Sequence, residues 1–162
     1  MLYIIMWIGY IVVNLLGAEI AAYIWHRCMA HNDIIPGLHE AHRVHHTIDD
    51  DNAAADFIWL MFFVILFELL VGIVLCTKLF PEKLILVTTM VIISVFFWNW
   101  MIHSAYHTKD SIFKGYKWFE EAKEEHFMHH RHPDRNYGIV THMGDKLFGT
   151  YMSHPATHKI NI

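Results

Sequence analysis

The sequence predicts an all-α integral membrane domain, about three transmembrane helices with a histidine-rich helical cap on one side. Three observations carry this prediction. Hydrophobic residues make up 55% and charged residues 17% of the 162 residues, against roughly 45–50% and 25% in soluble domains. The apolar residues gather into three long runs, and all 15 histidines lie outside them. The length suits one domain, residues 1–162. A net charge of −4 offers no clustered cationic face for nucleic acid. Two cysteines, Cys28 and Cys76, make neither a disulfide framework nor a thiolate metal site.

The first run, Leu2–Trp25, is nearly all apolar. At 1.5 Å rise per residue it covers roughly 36 Å, enough to cross a hydrocarbon core of roughly 30 Å with some tilt. Lacking a positive flank and a small-residue cleavage site, it reads as a retained anchor rather than a removed signal peptide. The second run, Phe57–Cys76, and the third, Leu84–Ile102, flank a short link, Thr77–Lys83, whose Pro81 punctuates a turn; together they read as a helical hairpin. A hairpin returns the chain to the side it left, so every histidine shares one side. Of the 12 Lys and Arg, only Lys78 and Lys83 fall in the link and none precedes the first run, which puts the histidine side in the cytoplasm. Glu19 and Glu68 lie inside runs, where a carboxylate is costly and should face protein or a polar cavity. Glu19, about two turns before His26, either orients that residue or packs helices, and Asn99 near the end of the third run is a similar candidate. The segment Ser111–Phe127 mixes Phe113, Tyr116, Trp118 and Phe119 with Lys114, Lys117 and Lys123, which suits a helix along the membrane interface forming one wall of a lipid entrance.

The histidines form four groups: His26-x4-His31, His42-x2-His45-His46, His103-x3-His107 and His126-x2-His129-His130. Positions i, i+3 and i+4 share one helix face, so each HxxHH group presents three imidazoles together and His103 faces the same way as His107. His26 and His31 would diverge on a regular helix, which predicts either a π-bulge or a helix end between them. Ten imidazoles exceed the capacity of one metal, and two metals with about five nitrogens each is the economical count. Imidazole suits Zn, Cu, Fe and Ni. A structural zinc closes with four ligands and prefers cysteine, so a redox pair explains the number better. His39, three residues before His42, is an extra candidate ligand or supporting donor.

These four groups, in this order and with these gaps, resemble the fatty acid hydroxylase and sterol desaturase superfamily, which includes carotenoid ring hydroxylases. Asn136-Tyr137-Gly138, and the stretch from Gly144-Asp145-Lys146-Leu147-Phe148 to Gly149-Thr150-Tyr151, resemble the family's C-terminal NYG and WDRLFGTY signature, with Gly144 standing where the family usually has Trp. The resemblance implies that His26, His31, His42, His45, His46, His103, His107, His126, His129 and His130 ligate two iron ions. It also implies reductive activation of O2 for attack on an unactivated C–H bond, giving an alcohol or, by loss of a second hydrogen, an alkene. Zinc can replace iron in overproduced protein, since divalent affinity alone does not select. The chain has no haem, flavin or iron–sulfur motif, so electrons are expected from a separate donor, a ferredoxin-like protein or a b-type cytochrome with its reductase. His132, His142, His154 and His158 match no ligand position and read as surface or supporting groups.

A different class, a histidine-rich metal transporter or metal-binding membrane protein, would place its site near the midplane on discontinuous helices. The first and third runs contain no histidine. Within that resemblance, the three-residue gap between His103 and His107 is similar to that of fatty acid hydroxylases and sterol oxidases rather than the four of carotenoid ring hydroxylases, and the stretch between His31 and His42 is longer than the carotenoid pattern. The resemblance therefore implies an acyl or sterol-like substrate, with a carotenoid ring as the alternative.

Overall fold

The computed structural model of the chain describes residues 2–47 and 82–153. Among these residues all regular structure is helical. The order is α1 (Leu2–Trp25) running into a π-helical turn (His26–Ala30), α2 (Pro36–Thr47), α3 (Glu82–His107), α4 (Lys117–Arg131) and the short α5 (Met143–Phe148). The expected second span, its Glu68 and most of the link before α3 lie outside the described residues.

Both α1 and α3 are long and apolar enough to cross a membrane. Their apolar side chains face outward: Ile4, Ile5 and Val13 on α1 and Leu86, Met90 and Phe97 on α3 are exposed. A core helix of a soluble protein would bury such residues, and exposed apolar surface on this scale calls for a nonaqueous neighbour. The α1–α3 seam is narrow, with Phe96 packed on Ala21, Ala22 and Trp25.

Two polar contacts fix how the helices lie. The Tyr10 hydroxyl donates to the Leu84 carbonyl (3.0 Å), and Asn99 Nδ2 donates to Glu19 Oε1 (3.2 Å). Residue numbers rise together along both helices, so α1 and α3 run parallel and bring His26 and His103 to the same end.

The helix expected over Ser111–Phe127 begins only at Lys117. The residues before it turn instead: Gly115 takes a left-handed φ of 87°, and its N–H donates to Glu120 Oε1 (2.7 Å), tying the first turn of α4 to the loop. Phe119, expected in a lipid entrance, is buried among Ile102, Ala105 and Tyr106. A phenyl ring on the inner face of α4 gains more from this apolar core than from the interface. Trp118 keeps the outward position, 44% exposed.

After α4 the chain folds back across the top. Asn136, in the left-handed region at φ 51°, is fully buried. Its side chain pairs with the Met152 backbone in both directions at 2.8 Å. The Gly144 position, where the family's Trp would stand, is filled from α1: a Cβ there would lie 2.4 Å from Tyr23 Cγ. Tyr23 stacks on Phe148 with ring centres 5.2 Å apart and meets Tyr137 edge-on. Helix α1 thus supplies the aromatic ring that α5 lacks.

Candidate metal centre

The ten histidines of the four groups converge on two clusters: His26, His31, His42, His46 and His129, and His45, His103, His107, His126 and His130. Within each cluster one nitrogen per ring lies within 4.8 Å of all the others. The division does not follow the triplets. In both HxxHH groups the i and i+4 members share a cluster, whereas the i+3 member, on the other flank of the helix, crosses to the second: His45 leaves His42 and His46, and His129 leaves His126 and His130. Each cluster is therefore one pair from the end of a long helix, one i, i+4 pair from a cap helix, and one crossing imidazole from the other cap helix. The rings of His46 and His130, stacked at 4.3 Å, form the partition between them.

Of the two expected arrangements, the π turn is present. His26 starts the π-helical turn and His31 caps it. A π turn bonds i to i+5, so the five-residue spacing recovers the shared face that His103 and His107 reach with four on an α-helix.

The Nε2 atoms meet as a convergent set rather than as pairs. His42 Nε2 lies 3.1 Å from that of His26 and 3.0 Å from those of His31 and His46, and His31 Nε2 lies 3.0 Å from that of His129. In the second cluster His126 Nε2 lies 2.9 Å from His107 Nε2 and 3.0 Å from His130 Nε2, and His45 and His103 approach at 3.0 Å. One imidazole nitrogen carries at most one proton, so it cannot satisfy three such neighbours by hydrogen bonding. Two nitrogens bound at about 2.1 Å to one cation at a right angle sit about 3.0 Å apart, and at the tetrahedral angle about 3.4 Å. The clusters fit a metal with more than four ligands.

The rings are held in ligand form from behind. His26 Nδ1 donates to the Tyr137 carbonyl and His129 Nδ1 to the Arg135 carbonyl, both at 2.6 Å, which leaves each Nε2 with a free lone pair. Desolvation keeps the rings neutral: burial lowers His46 to about 4, and lowers His31 and His130 to about 2, with neighbouring imidazoles adding to the effect. Neutral imidazole is the species that binds metal. His126 Nδ1 is buried and has no hydrogen-bond partner among the described residues. His126 is instead held by its face, stacked at 5.2 Å on Tyr106, whose hydroxyl donates to the Ile139 carbonyl (2.9 Å).

Three residues expected to support the ligands do other work. Glu19 does not reach His26: its carboxylate accepts from Asn99 and from Thr141 Oγ1 (2.8 Å), tying α1 to α3 and to the 137–141 loop. The backbone of Tyr137 orients His26 instead. Asn99 is buried and bonds to Glu19 and the Val95 carbonyl, one turn or more below the clusters. His39 belongs to neither cluster and bonds to the Ala30 carbonyl (3.1 Å), closing the π turn against α2.

His142 is buried rather than on the surface, with Nε2 2.7 Å from Glu125 Oε2 and Nδ1 3.2 Å from Asp145 Oδ2. Asp145 is fully buried and also accepts from Tyr137 N, Gly138 N and Thr150 Oγ1. Burial pushes its carboxyl up, but these hydrogen bonds outweigh that and hold it below its ordinary value. The sequence marked Asp145 and Tyr137 only as parts of a signature. No spacing rule gives a role to a residue that acts through its backbone.

Helices able to span a membrane, capped by ten convergent imidazoles, define a class: helical membrane proteins with histidine clusters able to hold metal. The sequence matches the model of the fatty acid hydroxylase family over residues 11–150, most of the chain, and the protein belongs to that family. It is therefore a membrane oxidoreductase of the lipid hydroxylase and desaturase kind. No curated protein and no solved structure matches it.

Proposed function

We propose that the protein is an O2-dependent lipid hydroxylase or desaturase whose ten clustered histidines hold two iron ions. The observation that carries this reading is the pair of five-imidazole sets, each with nitrogen separations suited to a metal of more than four ligands. When bound and reduced, the iron pair would supply activation of O2 toward an unactivated C–H bond. The chain's own part is to hold and shield. His26 and His129 keep their Nε2 lone pairs directed inward because their Nδ1 protons are committed to backbone carbonyls. Tyr137 lies 5.2 Å from the His31 ring, and Tyr106 stacks on His126, so each cluster has an aromatic ring on one side. The exposed apolar faces of α1 and α3 lead up to the clusters from the membrane and suit an acyl or sterol-like lipid rising from the leaflet.

Electrons would come from a separate carrier, a ferredoxin-like protein or a b-type cytochrome with its reductase, and the clusters would face the cytoplasm. A transporter would need its site along the spans, whereas α1 and α3 lead to clustered histidines only at one end. Lipid profiling of a host with and without the gene, under 18O2, tests the reading. A new lipid carrying the label marks hydroxylation and a new unlabelled alkene marks desaturation. An unchanged lipid profile from iron-loaded protein supplied with a reducing partner would refute the enzymatic reading.

A further inference from the structure

Two of the five rings in the first cluster are held by peptide groups whose opposite ends are gripped by the turn from Asp145 to Thr150. The Tyr137 carbonyl that accepts from His26 Nδ1 and the N–H of Gly138 belong to one peptide plane, and that N–H donates to Asp145 Oδ2 at 2.7 Å. The Arg135 carbonyl that accepts from His129 Nδ1 shares a peptide plane with the N–H of Asn136, which donates to the Thr150 carbonyl at 3.1 Å. Asp145 Oδ1 completes the grip by accepting from Tyr137 N (2.9 Å) and Thr150 Oγ1 (2.7 Å). The packing leaves no slack: a Cβ on Gly138 would lie 2.1 Å from the Thr141 carbonyl oxygen and 2.9 Å from Asp145 Oδ2.

From this geometry we propose that Asp145 is a positioning residue for the first cluster alone, acting on His26 through one peptide group. The inference rests on the reading of the clusters as metal sites. A buried carboxylate on the N–H end of a peptide polarises its carbonyl, which strengthens the hydrogen bond to Nδ1, raises the donor strength of Nε2 and fixes the ring plane. The carbonyl serves as an extension of the carboxylate, the role that a directly bonded aspartate plays for many metal-binding histidines. The second cluster takes no such contact from Asp145.

The test is metal content and affinity, which do not depend on turnover. Wild-type protein in detergent, titrated with Zn2+ against a chromophoric chelator, should bind two ions per chain; fewer than two would contradict the two-metal reading itself. Asp145→Asn keeps the shape but turns an acceptor into a donor against a backbone N–H. It should still bind one ion normally and the other at least 10-fold more weakly, the scale of lost support behind a ligand. Adding His103→Ala to Asp145→Asn should remove the remaining tight ion, whereas adding His26→Ala should not. Two ions at wild-type affinity in Asp145→Asn, or equal weakening of both, would overturn the proposal. If Asp145→Asn does not fold, Asp145→Glu, whose extra methylene moves the carboxylate off the Gly138 N–H in a site without slack, takes the same titration: weakening of one ion alone is again expected, and two ions at wild-type affinity or equal weakening of both overturns the proposal. Failure of both to fold where His26→Ala folds would assign Asp145 to the fold and overturn the proposal equally.

Discussion

The division of labour within HxxHH is set by angle. Successive helical residues are about 100° apart, so i and i+4 lie about 40° from each other while i+3 falls about 60° to the other side of i. When two such helices meet over the same end of a bundle, the i+3 ring of each points into the neighbour's cluster, which is where His45 and His129 go. Which ten histidines gather was legible in the sequence, because three of their four groups repeat the spacings that put imidazoles on one helix face and the fourth, His26 and His31, fits a π turn. The crossing was not legible, since it depends on how α2 and α4 face each other across a distance that no local pattern encodes. It has a measurable consequence. His42→Ala and His45→Ala, three residues apart, should empty different sites. After a fixed chelator wash, His45→Ala combined with His103→Ala should retain about one metal per chain, as either single variant does. His45→Ala combined with His26→Ala should retain none. If His42→Ala and His45→Ala prove to empty the same site, the two-cluster division is wrong.

At the scale of elements, the π turn was foreseeable because a five-residue gap between paired ligands is incompatible with an uninterrupted α-helix. The start of α4 and the placement of its aromatics were not. Phe119 and Trp118 are adjacent aromatics, and the one that turns inward is the one facing the cluster of Ile102, Ala105 and Tyr106 on α3. Their substitutions should therefore separate. Phe119→Ser removes a fully buried ring beneath the Tyr106–His126 stack, a loss on the order of 3–5 kcal/mol for a large-to-small change, and should lower thermal stability and loosen metal together. Trp118→Ser should leave stability and metal content near wild type while weakening turnover of a membrane-embedded lipid, because Trp118, with Ile112 and Tyr116, stays exposed beside Lys114 and Lys117. Differential scanning fluorimetry and elemental analysis on both variants decide it. Matching losses in the two would return Trp118 to the core. The tail after α4 was legible only as a signature. Tyr23 filling the gap at Gly144 joins residues more than a hundred positions apart, and nothing in either stretch alone announces the match.

For the whole molecule, hydropathy marked the two described long helices, and their parallel course places all ten histidines at one end. The outward apolar faces of α1 and α3 follow from the low charge of those runs; the narrow seam of Ala21, Ala22 and Phe96 is a matter of packing that composition does not specify. Single cysteines in a Cys-free variant test the arrangement: at Lys109 and Arg135, on the histidine side, they should resist a membrane-impermeant thiol reagent in intact cells. One at Tyr3, at the opposite end of α1, should react. Labelling of Arg135 and Tyr3 from the same side would break the membrane reading of α1. Whether two sets of five imidazoles hold two metal ions is decided by elemental analysis of folded, detergent-purified chain produced under iron-replete conditions. Two metal ions per chain are expected, iron predominating with zinc as the substitute, and at most one ion of any kind per folded chain would contradict the two-metal centre.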